Sequence, residues 1–71
     1  MIEVGQIRER DNFRFAITKI YGTLFGDRAF IIFTDGDEES VEVEFLFYNS
    51  KLIAEYPTWQ EAVNSKEFRD E

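Results

Sequence analysis

Residues 29–45 constrain the fold more than any other part of this chain. Ala29-Phe30-Ile31-Ile32-Phe33 is a continuous apolar run rich in β-branched and aromatic residues. A run this short has the length of a strand, not of a helix. Asp35-Gly36 follows, a pair that tolerates the positive backbone angles of a hairpin turn. Val41, Val43 and Phe45 then alternate with Glu42 and Glu44. That alternation predicts a second strand with Val41, Val43 and Phe45 inward and both glutamates in water. A β-hairpin is the expected centre of the fold. The first strand is apolar on both faces, and so is Leu46-Phe47-Tyr48, so both stretches need cover on two sides.

Ile2, Val4 and Ile7 predict a short first strand with a bend at Gly5, and Arg8-Glu9-Arg10-Asp11-Asn12 a polar turn. Phe13, Phe15 and Ile17 share one face of a second strand, and Lys19-Ile20-Tyr21 breaks its alternation as a bulge does. Gly22 and Gly26 bracket a loop with Leu24 and Phe25 at its tip. Leu52-Ile53-Ala54-Glu55-Tyr56 is a last strand, stopped by Pro57. Thr58-Trp59-Gln60-Glu61 has the spacing of a capping box and opens a helix with Trp59, Ala62 and Val63 on one face. A further single turn at 65–68 returns Phe68 to the body. The expected organisation is one domain over 1–71, with a β part at about 2–56, a C-terminal helix at about 58–65 and a frayed tail at 69–71.

Four to five short strands with one terminal helix give a mainly β, antiparallel domain. Curling the sheet into a small SH3-like barrel, or bending it strongly, limits the exposed edges. Cover for the outward apolar residues comes from the helix or from a second copy, so monomer and homodimer both remain open.

Histidine and cysteine are absent. That removes the usual triads and general bases, disulfides and the common zinc sites. The remaining stabilising resource is aromatic: eight Phe, three Tyr and one Trp in 71 residues. Exposed carboxylates on a turn are not tuned for catalysis, and the acidic turn lacks EF-hand spacing, so no enzyme activity, metal or cofactor is expected. No apolar run approaches the roughly 20 residues of a membrane span, and residues 1–5 do not read as a signal peptide. A cytoplasmic protein with no membrane contact is the expectation.

The net charge of −7 is concentrated. Asp35, Asp37, Glu38, Glu39, Glu42 and Glu44 lie within ten residues that hold no Lys or Arg. Such a balance disfavours direct nucleic-acid binding, which needs cationic neutralisation of phosphates. On a rigid strand face these carboxylates can steer a basic partner or imitate phosphates. A solvated turn that keeps an aromatic-rich strand soluble gives the same pattern.

Val4-Gly5-Gln6-Ile7, Phe13-Arg14-Phe15, Asp35-Gly36-Asp37 and above all Tyr56-Pro57-Thr58-Trp59-Gln60-Glu61-Ala62-Val63 resemble a group of small uncharacterised proteins of phages and prophages in Gram-positive bacteria such as lactic acid bacteria. Val4-Gly5-Gln6-Ile7 also resembles the first strand of SH3-like barrels. Neither resemblance brings a catalytic motif. Together they imply a phage context and peptide binding on aromatic residues near strand-connecting loops. Tyr21, Phe25, Tyr48 and Tyr56 are the candidates for such a site. The expected function is non-catalytic protein binding. The alternatives are an acidic inhibitor or DNA mimic of a host nucleic-acid-binding protein, and a structural accessory acting as a homo-oligomer.

Overall fold

Gly5 turns the chain into its first strand with a φ of 93°. The computed structural model describes residues 1–69. From there β1 (Gln6–Arg10), β2 (Phe13–Thr23), β3 (Gly26–Phe33) and β4 (Glu38–Glu42) form three successive hairpins. Helix α1 (Val43–Asn49) then carries the chain across the sheet to β5 (Lys51–Glu55), which pairs with β1. Two short helices, α2 (Trp59–Val63) and α3 (Lys66–Arg69), complete the described residues. Asp70 and Glu71, most of the expected frayed tail, lie outside them; Arg69 belongs to α3.

The sheet is antiparallel, with strand order β4-β3-β2-β1-β5. It is mainly β as expected, with five strands, but open: β4 and β5 are edges and do not close a barrel. The reason lies at Val43. The run from Val43 onward coils into a helix instead of continuing β4, so β4 ends too early to curl round to β5. The Val41-Val43-Phe45 strand face is thereby corrected. Val41 and Val43 do pack on the core, but from a strand and a helix respectively, while Phe45 is partly exposed.

Each hairpin solves its turn differently. Asp11 and Asn12 both have positive φ, 52° and 70°, the conformation of a two-residue turn that matches strand twist. Arg8 to Arg10, expected in that turn, belong to β1. At the β3–β4 turn Gly36 has a φ of 95°, the Gly36 N–H donates to the Phe33 carbonyl at 3.0 Å, and the Phe33 N–H donates to the Asp37 carbonyl at 2.8 Å. That is a three-residue hairpin loop in which the glycine takes the left-handed position. The bulge expected near Lys19 is present as a register shift between Ile17 and Lys19.

Both faces of the sheet are covered. On one, Phe15, Ile17, Ala29 and Ile31 pack with Ile2 and with Leu46 of α1. On the other, Ile7 and Ala16 pack with Ala62 of α2 and Phe68 of α3. Adjacent residues of β2 therefore serve opposite layers, and in the continuously apolar β3 Ala29 and Ile31 serve one layer and Ile32 the other. The Thr58 half of the expected capping box forms, with the Glu61 N–H donating to Thr58 Oγ1 at 3.2 Å. The helix is shorter than predicted, and Ser65 links it to α3 by donating to the Ala62 carbonyl and accepting from the Phe68 N–H.

Candidate functional site

Helix α1 is too short to bury everything apolar that it carries. Leu46 and Val43 face the core. Phe47 and Tyr48 are left 51% and 73% exposed, their rings meeting edge to face at 5.1 Å between centroids. The expectation that Leu46-Phe47-Tyr48 is covered on both sides fails beyond Leu46, because a helix places these three residues around its circumference rather than on two sheet faces.

The β2–β3 hairpin comes to the same end of the molecule. Its two-residue tip is Leu24-Phe25, each 97% exposed. The turn is held below the tip: the Phe25 N–H donates to Thr23 Oγ1 at 3.1 Å, and Thr23 Oγ1 donates to the Gly26 carbonyl at 2.6 Å. The loop's conformation thus does not depend on burying Phe25.

Between loop and helix lies an open cleft of about 580 Å³ lined by Met1, Ile2, Phe25, Val43, Phe47 and Tyr48. Asp27, Glu42 and Glu44 also line it, and no Lys or Arg does. It is an apolar, aromatic depression with carboxylates on its wall.

Of the four aromatic candidates, Phe25 and Tyr48 are brought together here. Tyr21 and Tyr56 are not. Tyr21 stacks on Phe30 at 5.1 Å and its hydroxyl shares a 2.6 Å hydrogen bond with Ser40 Oγ. Tyr56 packs against the layer of α2 and α3, and its hydroxyl donates to Glu67 Oε1. That bond holds the Glu67 carboxyl below the usual glutamate range and pushes the Tyr56 hydroxyl up.

The acidic candidates divide as well. Asp35 uses its carboxylate locally, accepting the Asp37 N–H at 2.9 Å. Glu38, Glu39 and Glu42 are exposed on β4. Glu44 sits in the first turn of α1, so Glu42 and Glu44 do not share a strand face as predicted; they meet again only in the cleft. Among the described residues no three carboxylates are grouped so as to hold a metal ion. Among the described residues no helix is long and apolar enough to cross a membrane.

Sequence reasoning missed Met1, Phe47 and Asp27. The signal for Asp27 was its place beside the Leu24-Phe25 tip. Phe47 had none once residues 46–48 were read as strand. Compared with known proteins, the chain matches no family model, no curated protein and no solved structure.

Proposed function

We propose that this domain is a non-catalytic protein-binding module of phage or prophage origin, acting in the cytoplasm, and that its site is the cleft between the β2–β3 loop and α1. The occupant is a basic segment of another protein anchored by an apolar side chain. One observation carries this reading: Phe25, Phe47 and Tyr48 stand exposed together beside Asp27, Glu42 and Glu44. Leu-Phe is poor turn chemistry, since tight turns favour Gly, Asn and Asp. Interfaces use aromatic anchors at their centre and charge at their rim, and carboxylates speed the approach of a basic partner.

Capture from a Gram-positive host lysate tests it, using the native chain, Phe25→Ala, Phe47→Ala and the double variant Glu42→Gln/Glu44→Gln. Phe25→Ala abolishes capture; the double variant weakens it and flattens its salt dependence. A partner retained equally by Phe25→Ala and by Phe47→Ala overturns the reading. The exposed carboxylates of β4 and α1 support the second reading, an acidic inhibitor or DNA mimic. In that case the double variant loses its partner while Phe25→Ala keeps it. Self-association through the same aromatics shows as a concentration-dependent mass that Phe25→Ala removes.

A further inference from the structure

We propose that the free edge of β4 takes up an extended, basic segment of another protein as an added strand. The site shares Glu42 with the aromatic cleft but rests on the β4 backbone, and it stands without the cleft's aromatic residues.

The hydrogen-bond register defines the edge. Phe33 and Asp37 are bonded through the Phe33 N–H, and β3 and β4 then pair without a shift from Ile32↔Glu38 to Arg28↔Glu42. Antiparallel pairs alternate between bonded and non-bonded. Ile31↔Glu39 and Ala29↔Val41 are therefore the bonded pairs. Glu38, Ser40 and Glu42 turn their backbone N–H groups away from β3, to the side where the sheet ends. Unpaired strand edges are templates for a further strand.

A groove of about 660 Å³ starts at β4 and runs across the sheet to the β1–β2 turn, where Arg10, Asp11 and Phe13 line it. The four consecutive residues Glu39, Ser40, Val41 and Glu42 all line it. Side chains of a strand alternate between faces, so four in a row mean that the β4 backbone forms one wall of the groove. Phe33 and Phe45 line it too, Phe33 packed edge-on against Phe15 and Phe45 with the Arg10 guanidinium 4.8 Å from its ring centroid.

Charge selects the occupant. β4 is Glu-Glu-Ser-Val-Glu, with three carboxylates and no cation; the groove's two arginines, Arg10 and Arg28, come from β1 and β3. Antiparallel pairing with a second copy about Ser40 sets Glu38 against the partner's Glu42 twice over, and directly opposed like charges are destabilising. A strand alternating Lys or Arg with an apolar residue meets Glu38 and Glu42 on one face and Val41 with the groove aromatics on the other.

Arg28 guards the entry. Its Nη2 donates to the Ser40 carbonyl at 2.9 Å and its Nε to Ser40 Oγ at 3.0 Å. Since Ser40 belongs to a non-bonded pair, this carbonyl points outward, and Arg28 occupies the acceptor an added strand would use. It also places a cation where a basic segment must approach. The opposite edge is protected otherwise, by the register shift between Ile7 and Arg8 that leaves Ile53 without a partner on β1.

The test uses the full chain and a blocked peptide of sequence Lys-Val-Lys-Val-Lys-Val, with the same peptide N-methylated at every residue as control. Binding is read by amide NMR shifts and hydrogen exchange. The expected result is slower exchange at the Glu38, Ser40 and Glu42 amides, at least tenfold weaker binding of the methylated peptide, and at least threefold tighter binding to Arg28→Met. Equal binding of the two peptides overturns the proposal, as does absence of binding at millimolar peptide. Shifts confined to Phe25, Phe47 and Tyr48 overturn it in favour of the cleft. Since the two peptides are compared on the native chain, the result holds even if Arg28→Met does not fold.

Discussion

The Arg8 guanidinium donates from Nε to Ser50 Oγ at 2.7 Å and from Nη2 to the Ser50 carbonyl at 3.1 Å, tying β1 to the residue that ends α1. Ser50 Oγ in turn donates to the Leu46 carbonyl, so the last turn of α1 hangs on this contact. Arg8 Nη1 donates to Gln6 Oε1 at 3.3 Å, and Gln6 Nε2 donates to the Met1 carbonyl at 2.7 Å. Arg8 and Gln6 are both buried. These elements border the cleft, which therefore inherits its shape from a buried polar network.

Burial pulls the Arg8 guanidinium below its ordinary pKa, and Glu55 acts against this. The hydrogen bonds that hold the cation all go to neutral groups. Lysine keeps the charge but lacks the planar fork that serves Ser50 twice and Gln6 once. Arg8→Lys is expected to cost about 1–3 kcal/mol in urea denaturation, the range for losing hydrogen bonds to a charged group. A variant as stable as the native chain would show that the charge alone suffices.

Gly5 and Gly36 share a positive φ and differ in surroundings. A Cβ on Gly36 meets nothing within 4 Å, whereas one on Gly5 would lie 2.1 Å from the Tyr56 carbonyl oxygen. That carbonyl belongs to backbone held by the Tyr56 N–H bond to the Gly5 carbonyl at 3.0 Å. Gly36→Ala carries only the left-handed penalty, about 1–2 kcal/mol. Gly5→Ala adds a backbone clash and is expected to leave the chain largely unfolded at room temperature by circular dichroism. Similar melting curves for the two variants refute this ranking.

The difference between what was legible and what was not follows from local chemistry. Asp35-Gly36 specified its turn, and Thr58 with Glu61 specified the start of α2, because special backbone angles and orphan N–H groups restrict residue choice. The β4–α1 junction has no such marker. Glu42 precedes the helix without a side-chain cap, and no Gly or Pro separates strand from helix. Val41 and Val43 face the core whether the chain stays extended or coils after Glu42, so the alternation was right about two side chains and wrong about the element. Phe25 was readable as a surface aromatic because glycines flank its loop. Its neighbour Phe47 was not, since its exposure depends on the helix.

Phe68, not Trp59, is the aromatic that fixes the C-terminal helices. Phe68 is buried with Ile7, Ala16 and Ala62, while Trp59 is half-buried and outside both core clusters. Phe68→Ala is expected to cost about 3–5 kcal/mol, a typical value for truncating a buried aromatic. On a chain of this size that approaches the whole stability. Trp59→Ala costs less. Chemical denaturation of the two variants checks the order, and a larger loss from Trp59→Ala would place the helix anchor at its first turn instead.

The Tyr56–Glu67 bond gives the same helices a dependence on pH. The Tyr56 hydroxyl donates to Glu67 Oε1, and this bond is the leading cause of the lowered Glu67 pKa and of the raised Tyr56 pKa. A carboxyl lowered in the folded state contributes stability above its unfolded pKa and loses it as pH falls through the folded value. A phenol raised in the folded state contributes below its unfolded pKa and loses it as pH rises through the folded value. The bond therefore stabilises across neutral pH and fades at both ends, in acid when Glu67 is protonated and in alkali when Tyr56 ionises. Both groups are solvent-accessible, so the effect is small, and salt weakens only its charge-dependent part. Tyr56→Phe keeps the ring against the core layer that includes Ala62 and Phe68 while removing the donor. Its stability deficit, measured by urea denaturation from acid to alkaline pH, is expected to be largest near neutrality and to shrink toward both extremes. A deficit constant with pH would mean that the hydroxyl's contribution is packing and not this bond.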